Sequence, residues 1–257
     1  MQTEDILGYS IVAASPDVCI AELFFCIIKK ETKSEAEIPF WLACFNPHSY
    51  AITLKDEMFS RALKSADWLV PDGAGVVLAS RLLGGAIQDR VTGSDVFADL
   101  HKRLNAAGGM SVFFLGATEE TLALIRQRMA RDYPNIKVAG TYTPPFKEVY
   151  SSAELDEMIK AVNTAAPDVL WVGMSAPKQE KWIYLNKDKL NVKFIGAVGA
   201  VFDFYSGNIR RDKDSWFVNH HLEWLPRLIQ EPRRLWQRMF VSAPVFVWHV
   251  VKQRFKF

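Results

Sequence analysis

Short apolar runs of strand length alternate with stretches of helical spacing along most of this 257-residue chain, and that alternation constrains the fold more than any other feature. Strands are predicted at Ile38–Phe45, Trp68–Val70, Ser111–Leu115, Ile136–Thr141, Asp168–Val172 and Val192–Ala197. Helical patterns fall between and around them at Ile52–Lys64, Val76–Leu83, Asp95–Ala107, Glu119–Arg131, Ala153–Ala165 and Lys178–Lys187. Strands separated by helices return in the same direction, so the expectation is an α/β fold with a mostly parallel sheet and helices on both faces. Val18 to Ile28 is apolar but interrupted by Glu22, which suits an amphipathic helix on the core. The sequence shows neither an internal repeat nor a low-complexity segment.

Within that frame, Leu69-Val70-Pro71-Asp72-Gly73-Ala74-Gly75-Val76-Val77 puts a carboxylate and two glycines at a strand-to-helix turn. At that edge of an open α/β sheet the first N–H groups of a helix face outward with partial positive charge, and ligands bind there. Asp72 is therefore placed as a general base beside an anion cradle, or as an ordinary helix cap; both readings fit the turn. Other predicted strands also end in glycine, at Gly116, Gly173, Gly196 and Gly199, as a nucleotide or sugar site at one sheet edge would require. Glycine is equally ordinary punctuation in α/β loops. No G-x-G-x-x-G follows a strand, which counts against a dinucleotide-dependent oxidoreductase, and a Gly-Lys-Ser/Thr phosphate loop is also absent.

Charge is divided unevenly. The net +2 combines a tail of +6, from Ile209 to Phe257, with a body of −4. A basic tail suits a polyanionic partner, either an anionic membrane surface or nucleic acid. Arg227, Arg234 and Arg238 share a helical face, and such guanidinium forks suit phosphate oxygens. Met239 to Val251 is apolar except for Ser242 and His249, is interrupted by Pro244, and is too short to span a bilayer. With Trp236, Trp248 and the basic end it reads as an interfacial segment, the alternative being a face packed on the body or on a second copy of the chain. Cys19, Cys26 and Cys44 match neither a disulfide framework nor a zinc motif, in keeping with a reducing compartment, and the N-terminus lacks the positive region of a signal peptide.

Seven ordered segments carry a resemblance. They are Phe45-Asn46-Pro47, Pro71 to Val77, Asp89-Arg90-Val91-Thr92-Gly93-Ser94-Asp95, Val112 to Gly116, Gly173-Met174-Ser175-Ala176-Pro177-Lys178-Gln179-Glu180, Gly196 to Phe204, and Leu222 to Leu228 with Glu231-Pro232-Arg233-Arg234. In this order they resemble the WecG/TagA/CpsF family of bacterial glycosyltransferases. The resemblance implies a Rossmann-like core over residues 1–207 and a basic amphipathic C-terminal appendage over 208–257 that docks on the membrane and completes the active site. It implies an inverting hexosyltransferase that uses a nucleotide-diphosphate sugar, UDP-linked, as donor. The acceptor would be an undecaprenyl-diphosphate-linked sugar at the cytoplasmic face of the plasma membrane, in exopolysaccharide or cell-wall polymer biosynthesis. No cofactor, metal or nucleic acid is implied; a homo-oligomer stays open.

By the same resemblance Asp72 is the general base, and Cys44, Asn46, Arg90, Gly116, Gln179, Gly199, Asp203, Arg227, Arg233 and Arg234 bind substrate. Cys44 stands where the family often has threonine, and His48 where relatives often carry an acid. Arg211-Asp212-Lys213 departs from the family's usual Arg-Ala-Pro. Asp212-Lys213-Asp214 has the Asp-x-Asp form of a cation site, although it lies in a basic segment where arginines can do that work instead. Two other functions compete with transfer: the oxidoreductase already named, and a nucleic-acid-binding module built on the basic tail.

Overall fold

The structure is a computed structural model that describes residues 1–30, 38–208 and 236–255. Its centre is a six-stranded sheet in the order β4-β3-β8-β7-β5-β6. The strands are β3 (Phe40–Phe45), β4 (Trp68–Pro71), β5 (Ser111–Gly116), β6 (Lys137–Tyr142), β7 (Val169–Gly173) and β8 (Phe194–Ala197). Every neighbouring pair in this sheet is parallel.

The reason is legible strand by strand, because both faces bury apolar side chains in strict alternation. Trp41, Ala43, Phe45, Leu69, Phe113, Leu115, Leu170, Val172, Ile195 and Ala197 point into one core. Leu42, Trp68, Val70, Val112, Phe114, Val169, Trp171 and Phe194 point into the other. Helices α1 (Pro16–Lys29), α5 (Gly93–Ala107), α6 (Glu119–Asp132) and α9 (Val201–Ser206) cover the second core. The first is covered by α2 (Pro47–Thr53), α3 (Glu57–Lys64), α4 (Ala74–Leu83), α7 (Ser152–Ala165), α8 (Lys178–Asn186) and α10 (Ala243–Phe255). The predicted helix on the core near Val18 is α1, which buries Cys19, Ile20, Leu23 and Ile27.

Three features differ from the sequence reading. The N-terminus forms an antiparallel hairpin, β1 (Thr3–Ile6) with β2 (Tyr9–Val12), turning through Leu7 and Gly8 at positive φ. The single helix expected over Ile52–Lys64 is two, because Asp56 caps a new start by accepting from the Phe59 N–H. Pro244 does not interrupt the C-terminal helix. It sits in the first turn of α10, after a π-helical turn over Gln237–Ser242 in which the Ala243 N–H bonds the Arg238 carbonyl five residues back. That wider turn accommodates a ring that would clash with the carbonyl four residues earlier.

α10 is part of the body. Phe246 and Val250 are buried against Phe45 and Tyr50 and their neighbours, each burial contributing about 2 kcal/mol. At its far end Gln253 accepts from the Leu7 N–H and donates to Asp5, tying the helix to the hairpin. Its opposite side, with Trp236, Phe240 and Val241 on the π turn, leaves Val247, Trp248 and Phe255 exposed.

Candidate active site

In a parallel sheet all carboxyl ends of the strands meet at one edge, and here that edge gathers the candidate residues. Asn46 follows β3, Asp72 follows β4, Gln179 lies beyond β7 and Gly199 beyond β8; β4, β3, β8 and β7 are consecutive in the sheet.

Asp72 is half-buried, its backbone N–H held by the Phe45 carbonyl at 2.8 Å. Next to it Gly73 caps α4 with φ +109, a conformation strained for any side chain, so the chain can swing from the strand into the helix directly beside the carboxylate. A Cβ on Gly75 would lie 2.7 Å from Pro47 Cγ, which brings the starts of α2 and α4 into contact. Val91, after Arg90, donates its N–H to the Pro71 carbonyl at 2.9 Å, so the loop carrying the exposed Arg90 is tied to the strand that carries Asp72.

Asn46 caps α2: its Oδ1 accepts from the His48 and Ser49 N–H groups, and the Ser49 hydroxyl accepts from its backbone. The Asn-Pro turn is therefore real, and it leaves the Nδ2 amide as the group Asn46 can offer a ligand. Cys44 Sγ lies 3.4 Å from where a Gly93 side chain would begin, so the start of α5 packs closely on the end of β3 there. Burial pushes the Cys44 thiol well above the usual range, and the carboxylates of Asp72, Glu180 and Asp95 push it further. A thiol held neutral among carboxyl groups is a weak donor and no nucleophile.

On the other side of β8, Gln179 and Glu180 are buried in the first turn of α8. Gln179 Oε1 accepts from the Gly199 N–H at 3.0 Å, where Gly199 turns with φ +54. Its Nε2 donates to Glu180 Oε1 at 2.9 Å. Burial pushes the Glu180 carboxyl up to about 7. Asp203 lies in the first turn of α9, half-buried, just past the Gly199 turn.

The structure thus brings Cys44, Asn46, Asp72, Arg90, Gln179, Gly199 and Asp203 to one edge. Gly116 ends β5 at the same edge, where packing also requires a glycine: with φ +121, a Cβ there would lie 2.6 Å from the Gly173 carbonyl group. Arg227, Arg233, Arg234 and Asp212-Lys213-Asp214 lie outside the described residues. Among the described residues no group of three or more His, Cys, Asp or Glu side chains is arranged to hold a metal ion, and no helix is long and apolar enough to cross a membrane.

Two features of the site carried no sequence prediction. Glu180 lies in the segment Gly173 to Glu180 without an assigned role; its only local signal is an acid in the first turn of a helix, followed by Lys181 and then Trp182-Ile183. His48 Nδ1 lies 2.9 Å from the Ser242 hydroxyl, fastening the start of α2 to the π turn, a contact across 194 residues that no local pattern announces.

The glycosyl transferase WecG/TagA/CpsF family matches over residues 5–257. A relative from Bacillus spizizenii strain W23 is 34% identical over 207 residues, covering 80% of this chain and 77% of its own length. One from Bacillus subtilis strain 168 is 33% identical, covering 82% and 79%. One from Staphylococcus aureus strain MW2 is 26% identical, with the same coverage of 82% and 79%. All three are named N-acetylglucosaminyldiphosphoundecaprenol N-acetyl-beta-D-mannosaminyltransferase.

Proposed function

Since the chain belongs to the WecG/TagA/CpsF family and is a glycosyltransferase, we propose that it moves N-acetylmannosamine from a UDP-linked donor onto an undecaprenyl-diphosphate-linked N-acetylglucosamine. The observation that carries the reading is the placement of Asp72. Its carboxylate stands at the strand-to-helix turn between β4 and α4, half-buried, among the residues that the chain folds to this edge.

The chemistry follows from that position. An acceptor hydroxyl oxygen attacks the anomeric carbon from the face opposite the leaving group, and the new C–O bond forms as the bond to the UDP oxygen breaks, with inversion. Asp72 takes the hydroxyl proton, and the electron pair of the broken bond departs with the diphosphate. In this reading the Asn46 Nδ2 amide orients a sugar hydroxyl, and so does the Gln179 Nε2 hydrogen that Glu180 does not take. Arg90, joined by Arg227, Arg233 and Arg234 from the tail, offsets the charge that develops on the leaving phosphates. Asp203, past the Gly199 turn, serves the nucleoside end.

The lipid-linked acceptor lies in a bilayer, and α10 supplies the means to reach it. Its inner side is fixed on the body, while Trp248 and Phe255 are exposed, as are Lys252 and Arg254 in its last turn, and Trp236 and Phe240 are exposed just before it. Aromatic groups flanked by cations suit the interface of an anionic leaflet, so the enzyme acts as a peripheral protein at the cytoplasmic face, with residues 208–257 as its docking and site-completing appendage.

Purified enzyme given UDP-N-acetylmannosamine and a short-chain lipid-diphosphate N-acetylglucosamine should yield the β-linked disaccharide lipid. A panel with UDP-glucose and UDP-N-acetylmannosaminuronic acid tests the sugar assignment, and turnover only with another donor would reject it.

A further inference from the structure

Glu180 is 3% exposed, and only one of its two carboxyl oxygens is hydrogen-bonded among the described residues. Oε1 accepts from Gln179 Nε2, whereas Oε2 is buried with no hydrogen-bond partner among the described residues. An acid kept only to stabilise a helix start would lie in solvent and ionised, where the exposed N–H groups favour it. Burying a carboxyl with an unmatched oxygen costs stability. Its retention therefore calls for another account.

The geometry supplies one. Gln179 is clamped at both ends of its amide: Oε1 accepts from the Gly199 N–H, and Nε2 donates to Glu180. A flipped amide would set oxygen against a carboxyl oxygen and N–H against N–H, so the pair of contacts fixes one orientation. The clamp reaches the rest of the site through the turn. Val198, next to Gly199, packs within 3.7 Å of where a Gly93 side chain would begin, and Cys44 Sγ closes the same space at 3.4 Å.

We propose that Glu180 is a positioning residue of the transfer site, a buried acid that works in its neutral form and locks the Gln179 amide against the Gly199 turn. This rests on the glycosyltransferase reading above. The neutral acid keeps its carbonyl oxygen for the Gln179 N–H and carries its proton on Oε2. Ionised, it would add a negative charge to an edge that must receive a diphosphate.

Burial, rather than a neighbouring charge, holds the proton near neutral pH. The elements packed on α8 bear this out. From α3 and its cap come Asp56, paired with Lys181, the pair Glu57 and Arg61, and Lys64. The turn after α8 brings Lys187, Asp188 and Lys189, and β8 carries no charged side chain. Across the edge stands Cys44, in the field of Asp72, Asp95 and Glu180 itself. No described cation pairs with the Glu180 carboxyl.

Calorimetric titration of the full-length enzyme with UDP-N-acetylmannosamine, between about pH 5.5 and about pH 8.5, tests the assignment, because a diphosphate diester does not titrate there. Wild-type affinity should fall about tenfold across that range. Glu180→Gln, which keeps the acceptor for Gln179 and cannot ionise, should bind within about twofold of the wild type at the acid end and stay level as pH rises. Glu180→Ala and Gln179→Ala should each weaken binding, and the double variant should be no weaker than the worse single one. A wild-type slope unchanged in Glu180→Gln, or additive losses in the double variant, would overturn the role of Glu180 alone. Absence of binding by the wild type at every pH would overturn the donor reading beneath it as well.

Discussion

Tyr50 Oη lies 2.6 Å from His249 Nδ1, joining α2 to α10 across 199 residues of chain. The ring is packed edge-on against Phe246 and Phe45, so the hydroxyl is delivered to the histidine from inside the first core. With the His48 to Ser242 contact it makes α2, whose cap is Asn46, the ledge on which the C-terminal helix rests. Tyr50→Phe keeps the packing and removes one hydrogen bond. It should cost about 1 kcal/mol and lower Tm by about 2–4 °C, read by thermal denaturation, with secondary structure unchanged.

Asp72→Asn tests the base directly. Asparagine fills the same volume at the turn, and the cap of α4 is Gly73, so a merely structural Asp72 would leave turnover close to wild type. A base that accepts the acceptor's proton predicts a fall in kcat of about 100-fold or more, with donor affinity held within a few-fold. Steady-state transfer and calorimetric donor binding, measured on the same preparation, separate the two.

His101 gives the fold a pH limit. It is fully buried, its Nδ1 donates to the Phe97 carbonyl at 2.7 Å, and its Nε2 accepts from Trp171 Nε1 at 3.2 Å, an arrangement that requires the neutral ring. Burial pushes its pKa down from 6.5 to about 4. A histidine depressed in the folded state contributes stability that is complete above 6.5 and is lost as pH falls toward 4. The urea midpoint should drop across that window by the equivalent of roughly 3 kcal/mol. His101→Gln, which can donate and accept in the same places, should show a shallower loss over the same range.

Gly116 was expected to serve a substrate, and the structure shows why a glycine is needed there on other grounds. At φ +121, with the Gly173 carbonyl group 2.6 Å from where a Cβ would stand, Gly116→Ala must displace one of two adjacent interior strands, β5 or β7. A loss of at least about 2 kcal/mol is expected in urea denaturation, and residual activity should track the folded fraction.

Strands and long-range contacts differ in how legible they are in the sequence. The parallel sheet was readable because residues such as Trp41, Phe114 and Trp171 lie in runs apolar on both faces, a pattern set by backbone period alone. Asp72 was readable because a turn residue and its flanking glycines are local in sequence. The split at Asp56 was hidden by the apolar periodicity that runs through it, and the N-terminal hairpin by its shortness. The Gln179–Gly199 clamp and the tail contacts of His48 and Tyr50 join residues far apart in the chain, and the burial of Glu180 follows from the same packing. Such pairings depend on how finished elements pack, and no window of sequence contains them.

The outer side of α10 offers the last test, because here packing and membrane contact make opposite demands on one helix. Phe246 and Val250 face inward, and charges there would unfold the docking surface; Trp248 on α10 and Phe240 on the preceding π turn are 59% and 54% exposed. Lys252 Nζ lies 5.2 Å from the Trp248 ring, so an aromatic group and a cation are presented together. Each exposed aromatic inserted into the headgroup region and each cation near an anionic surface adds on the order of 1 kcal/mol. Replacing Trp248 and Phe240 with glutamate should therefore leave Tm within about 2 °C of the wild type. It should also abolish co-sedimentation with phosphatidylglycerol vesicles and slow transfer to a long-chain lipid acceptor. Transfer to a water-soluble short-chain acceptor should persist, since the site at the sheet edge is untouched. Unchanged vesicle binding by the double variant would assign this face to another partner and leave the route to the lipid substrate elsewhere on the chain.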